Sequence, residues 1–358
     1  MRGLFSSAEI GIIYYVELCA LSNWAFRYKS VSKKKLVLDG RHSIIKRGKK
    51  EMQQKKMAYQ TKKQKEYLLS YEKTDLLGLQ HRREKDALEE LQLPEASWTL
   101  SELLSSGKKF TYEFNGKIEE KIPDNSFLAG YGALHNLVSC YSSLAALAQC
   151  MEKNTIKCKE YLYLSAYCQK CICQWPNQEK AHSSTDFVSL SHLGEFYMGV
   201  IADADVEFIR SLGELLCLPE RNWNSFLIYR GNAAINLALG NTKDAIYYAE
   251  KMREEELKKK SHSKLWLNYA HCIYSIAVGD ADATNEDICS IISSWRRTSG
   301  PPRLLVFHAI GLAKIATKYG LTVTIDTLDC PQALIQPAQM DYSHLELPKP
   351  KYGFPWEK

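Results

Sequence analysis

The cysteines are the residues of this chain whose spacing most suggests chemistry. Cys168, Cys171 and Cys173 lie within six positions of one another, with Cys158 ten residues before them and His182 nine residues after. A Cys-x-x-Cys pair supplies half of a tetrahedral zinc site, but no second pair lies at a matching distance. On a helix, positions 168 and 171 share a face while position 173 points away. We therefore interpret the cluster as structural thiols and expect no cofactor and no metal, with zinc binding and redox chemistry as the alternatives.

The histidines and glycines show no arrangement that is typical of an enzyme. His135, His271 and His308 each fall on a predicted helix among apolar neighbours, with no nucleophile at a recognisable spacing. The chain also lacks a glycine-rich phosphate loop, a His-Glu-x-x-His and a Gly-x-Ser-x-Gly. We expect a protein that is not an enzyme, has no catalytic residues and takes no small-molecule substrate.

Large aromatic residues and arginine are the residue types that most often anchor protein interfaces. The second half of the chain is rich in them, and our candidates for protein contacts are Trp223, Tyr229, Arg230, Tyr247 and Trp266. Sequence pattern does not separate exposed from buried side chains here, so these residues define a region rather than a surface.

The elements that must position these candidates form a helical repeat. Three predicted helices end at Gly240, Gly279 and Gly320, which are spaced by 39 and 41 residues. A period of roughly 35 to 45 residues is typical of helical arrays, and such arrays present extended binding surfaces. We therefore predict an all-α fold built as an array of antiparallel helix pairs.

The first helix pair of this repeat resembles a tetratricopeptide hairpin. Ala233, Gly240 and Ala245 have the spacing of the small residues of that motif, which let two antiparallel helices approach closely. Ala249 and Met252 depart from it, because a larger aromatic residue and an alanine are usual at those positions. A degenerate tetratricopeptide-like array and an irregular helical bundle both fit this pattern.

Three other segments have distinct patterns. Residues 110–122 alternate apolar and polar positions around Asn115-Gly116, which predicts a small β-hairpin. Residues 51–92 carry a loose apolar stripe and predict one long charged helix. The β-branched segment 321–326 predicts a short strand.

Composition divides the chain into four parts. They are a basic N-terminal extension (1–50), an N-terminal helical part with the hairpin (51–176), a C-terminal helical-repeat part (185–340) and an extended tail (341–358). A polar linker at 177–184 marks the boundary between the two helical parts.

The charge distribution bears on possible partners. The formal net charge is +6, and the basic residues concentrate between positions 27 and 65. Such an arm can bind nucleic acid, but few aromatic residues are interleaved to stack on bases, so we favour a solvated charged surface. The apolar stretch 10–26 is short for a membrane span and contains Glu17. We prefer a packed helix, or an extension outside the natural fold, to a membrane anchor.

The cysteine count bears on the compartment. Eleven cysteines at irregular spacing do not form a disulfide framework. Thiols on apolar helix faces pack as small hydrophobic groups. Both observations favour a reducing compartment, and we expect the protein in the cytoplasm.

The C-terminal part resembles a family of bacterial immunity proteins from polymorphic toxin systems, the family numbered forty-nine in that series. The resemblance lies in Ala309–Ile335, where a helix leads into Tyr319-Gly320-Leu321 and then into Cys330-Pro331-Gln332. It implies a mostly helical cytoplasmic protein that binds and neutralises a cognate toxin without catalysis. The alternative that we keep is a helical-repeat adaptor or regulator that binds peptides or nucleic acid.

Overall fold

The computed structural model describes residues 57–92, 110–114, 117–121, 129–174, 193–217, 224–298 and 303–350, together with residues 353, 354 and 356. The described elements belong to one compact unit, Ala58–Thr298 with Pro302–Lys358. The basic extension 1–50, the linker 177–184, Trp223 and His182 lie outside the described residues. The helices are α1 (Lys62–Thr74), α2 (Leu76–Glu90), α3 (Ala129–Cys150), α4 (Thr155–Gln174), α5 (Leu193–Ile201), α6 (Val206–Leu216), α7 (Ser225–Ala238), α8 (Thr242–Lys258), α9 (Lys264–Val278), α10 (Ala281–Arg296), α11 (Phe307–Lys318) and α12 (Gln332–Ile335).

The predicted all-α fold of packed helix pairs is confirmed. Helix α3 packs along α4, α7 along α8, and α9 along α10, while α8 also packs on α9. Helices α4 and α5 pack against each other, so the parts of the chain on either side of the linker 177–184 are in contact. Among the described residues, no helix combines the length and the apolar character that a membrane span needs.

The glycine stops of the repeat have a common geometry. Gly240, Gly279 and Gly320 have φ angles of 85°, 85° and 80°. The residue after each glycine donates its N–H to a carbonyl five residues back, at 2.8 Å for Asn241, 2.9 Å for Asp280 and 3.0 Å for Leu321. This is the hydrogen-bond pattern of a helix that ends on a left-handed residue, where glycine has no Cβ to strain the backbone. The same local signal therefore ends three alternate helices of the array, α7, α9 and α11.

Two of the three small residues of the tetratricopeptide-like spacing are buried in the first helix pair, and Gly240 is exposed where α7 ends. Ala233 of α7 and Ala245 of α8 have no exposed surface, and Ala249 and Met252 are also buried. Because α7 and α8 pack along their length, an alanine at position 249 fills a place where the motif has a larger side chain.

Residues 110–114 and 117–121 form a two-stranded antiparallel sheet in the described part of the chain. Strand β1 (Phe110–Phe114) pairs with β2 (Lys117–Lys121), with Phe110 opposite Lys121 and Phe114 opposite Lys117. The two residues that join the strands, Asn115 and Gly116, lie outside the described residues.

Two local predictions were wrong. Residues 51–92 do not form one helix, because Asp75 takes a left-handed conformation (φ 49°) that ends α1. Its carboxylate then caps α2 by accepting from Gly78 N. Residues 321–326 form no strand, because the Asn285 side chain bonds their backbone at Thr322 O (2.9 Å) and Thr324 N (2.9 Å).

Candidate protein-binding edge

The structure separates the predicted contact residues into two places. Arg230 of α7 lies over Trp266 of α9, with 5.0 Å between the guanidinium carbon and the ring centroid. Tyr229 and Tyr247 lie beside Tyr248 instead, with ring centroids at 6.4 and 5.2 Å from its ring. The predicted residues therefore do not form one surface.

Helix α7 presents Arg230 because its start is fixed by a cap. Asn224 Oδ1 accepts from Phe226 N at 3.0 Å and from Leu227 N at 3.4 Å, which satisfies two amides of the first turn. Residues four apart share a helix face, so Phe226 and Arg230 point to the same side of α7. Both then contact Trp266, since the rings of Phe226 and Trp266 lie 6.0 Å apart.

An imidazole lies at the centre of a larger group of rings. The ring centroid of His308, near the start of α11, lies 5.4 Å from Tyr197, 6.1 Å from Tyr269, 6.5 Å from Trp266 and 5.9 Å from Trp295. The hydroxyls of Tyr197 and Tyr269 are hydrogen-bonded to each other. Helices α5, α7, α9, α10 and α11 are thereby linked through aromatic contacts.

Three cations lie over aromatic rings in this region. Lys259 Nζ is 4.2 Å from the Phe226 ring centroid, and the guanidinium carbon of Arg303 is 4.5 Å from that of Trp295. The third contact is that of Arg230 with Trp266. All three distances are in the cation–π range, where a contact is worth about 0.5 to 2 kcal/mol. We define the cation–aromatic edge by Phe226, Arg230, Lys259, Trp266, Trp295, Arg303 and His308.

The edge lies where alternate helices of the array begin. Phe226, Trp266 and His308 are the second, third and second residues of α7, α9 and α11. None of these three helices has an acidic residue in its first turn, whereas α8 has Asp244 and α10 has Asp282. The N-terminal ends of α7, α9 and α11 therefore lie at the edge without an acidic side chain in their first turns. The C-terminal ends of α8 and α10 lie there too, at Lys259 and Trp295, and oppose their dipoles.

Two of the cations at the edge act on the imidazole of His308. Burial, together with the nearby charges of Arg230 and Arg303, lowers the pKa of His308 to about 3. Burial also lowers the pKa of Arg230, against the electrostatic effect of Tyr269 and Tyr197. The imidazole is therefore neutral near pH 7 and does not exchange protons there. This arrangement suits the binding of an anionic group better than acid–base catalysis.

The tyrosine face forms a smaller and more exposed surface. Tyr247 is 52% exposed, and Lys251 Nζ lies 5.9 Å from its ring centroid. The same ammonium pairs with Glu254 at 2.8 Å, so this lysine is already neutralised by its own helix. Lys259 of the edge is paired in the same way, with Glu256 at 2.6 Å, so the edge differs from this face by its two arginines.

One histidine has the carboxylate partner that the sequence did not reveal. His271 Nδ1 lies 2.6 Å from Asp287 Oδ2, and Ser275 Oγ lies 3.4 Å from the same nitrogen. A catalytic triad places the hydroxyl and the carboxylate on opposite ring nitrogens. Here both lie at Nδ1, so the arrangement holds a buried carboxylate in place rather than activating the serine.

The cysteine cluster packs inside the protein. Cys168, Cys171 and Cys173 are all buried, including Cys173 on the opposite side of the helix, because α4 packs against α3, α5 and α6. Burial raises the pKa of Cys158 and Cys168, which disfavours the thiolate that binds metal or attacks substrates. Among the described residues, no three His, Cys, Asp or Glu side chains are grouped so that they could hold a metal ion.

Sequence reasoning found Arg230 and Trp266 but missed Trp295, Arg303 and His308. The signal that could have found His308 is positional, because an aromatic residue or histidine recurs at the second or third residue of α7, α9 and α11. Trp295 lies near the end of α10 and has no such signal. Arg303 has no such signal, since only the folded chain brings it over Trp295.

Comparison with known proteins identifies no relative. No family model matches the chain, and neither a curated protein nor a solved structure matches it. The resemblance to immunity proteins therefore remains an expectation from the sequence.

Proposed function

We propose that this protein is a cytoplasmic immunity protein that binds a cognate bacterial toxin and neutralises it by occlusion, without catalysis. The observation that supports partner binding is the cation–aromatic edge. The kind of partner comes from the sequence resemblance in Ala309–Ile335, which includes most of α11.

The edge has the composition of a binding site for an acidic protein surface. Tryptophan and arginine are among the commonest interface hot spots. The edge presents Arg303 and part of Trp266, whereas Trp295 and Arg230, their respective partners, are buried. A positive field steers an acidic partner and discriminates against basic ones. The helices hold these side chains before the partner arrives, which reduces the ordering entropy lost on binding.

The second candidate function is that of an adaptor or regulator that binds nucleic acid. The specific observation in its favour is the interleaving of cations and rings at the edge, because bases stack on aromatic side chains while cations hold the phosphates. We rank it below toxin binding, because Trp295 of the edge and Tyr269 beside it are buried and cannot receive a base.

Co-expression with the toxin domain encoded beside the gene tests the proposal. The wild-type chain should restore growth and form a complex, whereas Lys259→Glu with Arg303→Glu should lose at least about tenfold in affinity. Arg303 is exposed. Lys259 is also the ion-pair partner of the buried Glu256 at 2.6 Å, so Arg303→Glu alone serves as a second edge variant that keeps this pair. Arg210→Glu with Lys243→Glu makes the same charge change at exposed positions of α6 and α8 and should bind like the wild type.

Two outcomes contradict the proposal. A chain that neither rescues growth nor binds the neighbouring toxin domain is not its immunity protein. An edge variant that binds the toxin as tightly as the wild type places the interface elsewhere. The nucleic-acid function would be supported by two results together. The wild type would not bind the toxin, and the edge variant would lose affinity for single-stranded RNA.

A further inference from the structure

A second group of charged side chains lies away from the edge. Lys159 Nζ lies 2.7 Å and Lys314 Nζ 2.6 Å from the same oxygen, Asp203 Oδ2. The side chains of Lys159, Lys314 and Asp203 are only 3%, 0% and 6% exposed. They come from α4, α11 and the turn between α5 and α6. Two ammonium groups thus share one carboxylate in a nearly dry interior, which leaves an excess of positive charge.

The segment after α12 covers this cluster. Lys314 Nζ donates to the carbonyls of Leu334 and Gln336 at 3.2 and 3.3 Å. Ala338 N donates to Asp203 Oδ2 at 3.3 Å. We call residues 336–347 the strap, because they cross from α11 to α4 without forming a helix or strand.

The far part of the strap is held to α4 by two side chains. The Tyr342 ring stacks on Tyr163 at 4.0 Å with an interplanar angle of 8°, and its hydroxyl donates to Ala202 O. His344 Nε2 lies 3.0 Å from Glu160 Oε1. These contacts are separate points of attachment rather than a continuous packed interface.

A cavity of about 420 Å³ lies between the strap and the helices. Asp203 and Tyr163 line it from the helix side, and Ala338, Tyr342 and Ser343 line it from the strap. Residues 336–339 are exposed on their outer side. A segment with few buried contacts and space beneath it belongs to the low-stability part of a fold, which opens more often than the core.

We propose that the strap is a proton-linked latch, which closes over the Lys159–Asp203–Lys314 cluster when the cluster releases a proton and opens when the cluster takes it up. The physical reason is the excess positive charge, because burying an uncompensated ammonium is far more costly than burying a neutral amine. Opening admits water to Lys314, so the open form holds the extra proton more readily than the closed form.

The charged surroundings of Lys314 support this assignment. Burial lowers the pKa of Lys314 from 10.5 to about 7, Asp203 opposes that shift and Lys159 adds to it. Helices α5, α9 and α10 also pack on α11, and none of their described charged side chains lies within ion-pair distance of Lys314. The other titratable groups around the strap are Glu160, Tyr163, Asp205, Asp341, Tyr342 and His344.

The sign of the effect follows from the two forms of the strap. When the strap is closed, the pKa of Lys314 is about 7. Opening relieves the burial that lowers it, so the pKa rises toward the ordinary lysine value. Acidification therefore favours opening, and the equilibrium between the forms shifts by up to about tenfold per pH unit for one proton.

Amide hydrogen exchange of the full-length chain at pH 8 and pH 6 tests the latch. After correction for the intrinsic exchange rates, protection of the strap amides should fall about tenfold at pH 6, because the closed-form pKa lies within this interval. Protection of α7 amides should not change. Equal strap protection at both pH values overturns the proposal, and so does an equal loss in α7, which would indicate global unfolding.

Three variants identify the group that takes up the proton. Lys314→Met should remove the pH dependence of strap protection, and Tyr342→Ala should lower protection at both pH values. His344→Gln removes the imidazole that pairs with Glu160 and should leave the dependence intact. If His344→Gln abolishes the dependence, the proton acts at the histidine and the proposal fails, whether or not Lys314→Met folds.

Discussion

The cation–aromatic edge and the Lys159–Asp203–Lys314 cluster use cations in opposite ways. At the edge, Lys259 and Arg303 are exposed and each lies over an aromatic ring, although Arg230 is buried. In the cluster, both ammonium groups are buried and meet at one carboxylate oxygen. The residue types are similar, but the amount of water around them differs.

This difference in hydration separates binding from stability. A cation over a ring at the surface keeps part of its water, contributes little to folding and remains available to a partner. A buried cation has lost its water and depends on its counter-ion, so removing the counter-ion leaves an uncompensated charge. We expect substitutions at the edge to change partner binding more than stability, and substitutions in the cluster to change stability first.

The largest effect should come from Asp203→Asn in the cluster. The substitution keeps the shape of the side chain, and asparagine tolerates the left-handed backbone at this position (φ 59°). It leaves two buried ammonium groups without their carboxylate, so the free energy of unfolding should fall by about 3 to 5 kcal/mol. Urea unfolding at pH 7 measures this change.

Asp205→Asn is the matched control for that substitution. Asp205 is exposed and caps α6 by accepting from Phe208 N at 2.8 Å, and asparagine is an equally good cap. The control should therefore unfold like the wild type. A loss in Asp203→Asn no larger than in this control would mean that the carboxylate does not hold the cluster together.

An intermediate effect should come from His308, the central imidazole of the edge. Burial and the two arginines lower its pKa to about 3, below its value near about 6.5 in the unfolded chain. The unfolded chain therefore takes up the proton first, and stability is lost as the pH falls from about 6.5 toward 3. One such group changes the free energy of unfolding by at most about 1.4 kcal/mol per pH unit. The loss between pH 6.5 and 5 should therefore reach at most about 2 kcal/mol.

Urea unfolding of His308→Phe at both pH values checks this assignment. The phenyl ring keeps the aromatic contacts and removes the titrating group, so the pH dependence should become shallower than in the wild type. His262→Gln removes an exposed imidazole and should leave the slope unchanged. An unchanged slope in His308→Phe would assign the dependence to other groups.

The sequence predicts the helical array well, because its signals are local. Gly240, Gly279 and Gly320 each end a helix through a hydrogen-bond pattern that spans only six residues. Asp75 shows where the same reasoning fails, since a non-glycine residue takes a left-handed conformation there and divides the predicted helix. The helix propensities of the residues around Asp75 gave no reason to expect the helix to end there.

The sites could be predicted only in part, because they join residues that are distant in sequence. Arg230 and Trp266 were found as residue types, but their pairing depends on how α7 lies against α9. Lys159 and Lys314 reach Asp203 across 44 and 111 residues. A single lysine in an apolar helical stretch does not reveal such a partner, and neither does an aspartate in a turn.

The smallest effect should come from Arg303→Ala at the edge. The exposed guanidinium loses its contact with Trp295, which is worth about 0.5 to 1 kcal/mol at an exposed site. Arg297→Ala is the control, since this arginine is also exposed and makes a 3.4 Å hydrogen bond to Ser294. Urea unfolding of both variants gives the difference. If Arg303→Ala costs about as much as Asp203→Asn, Arg303 is a structural cation like those of the cluster. A small loss of stability combined with a large loss of partner affinity is the result that distinguishes an edge built for binding.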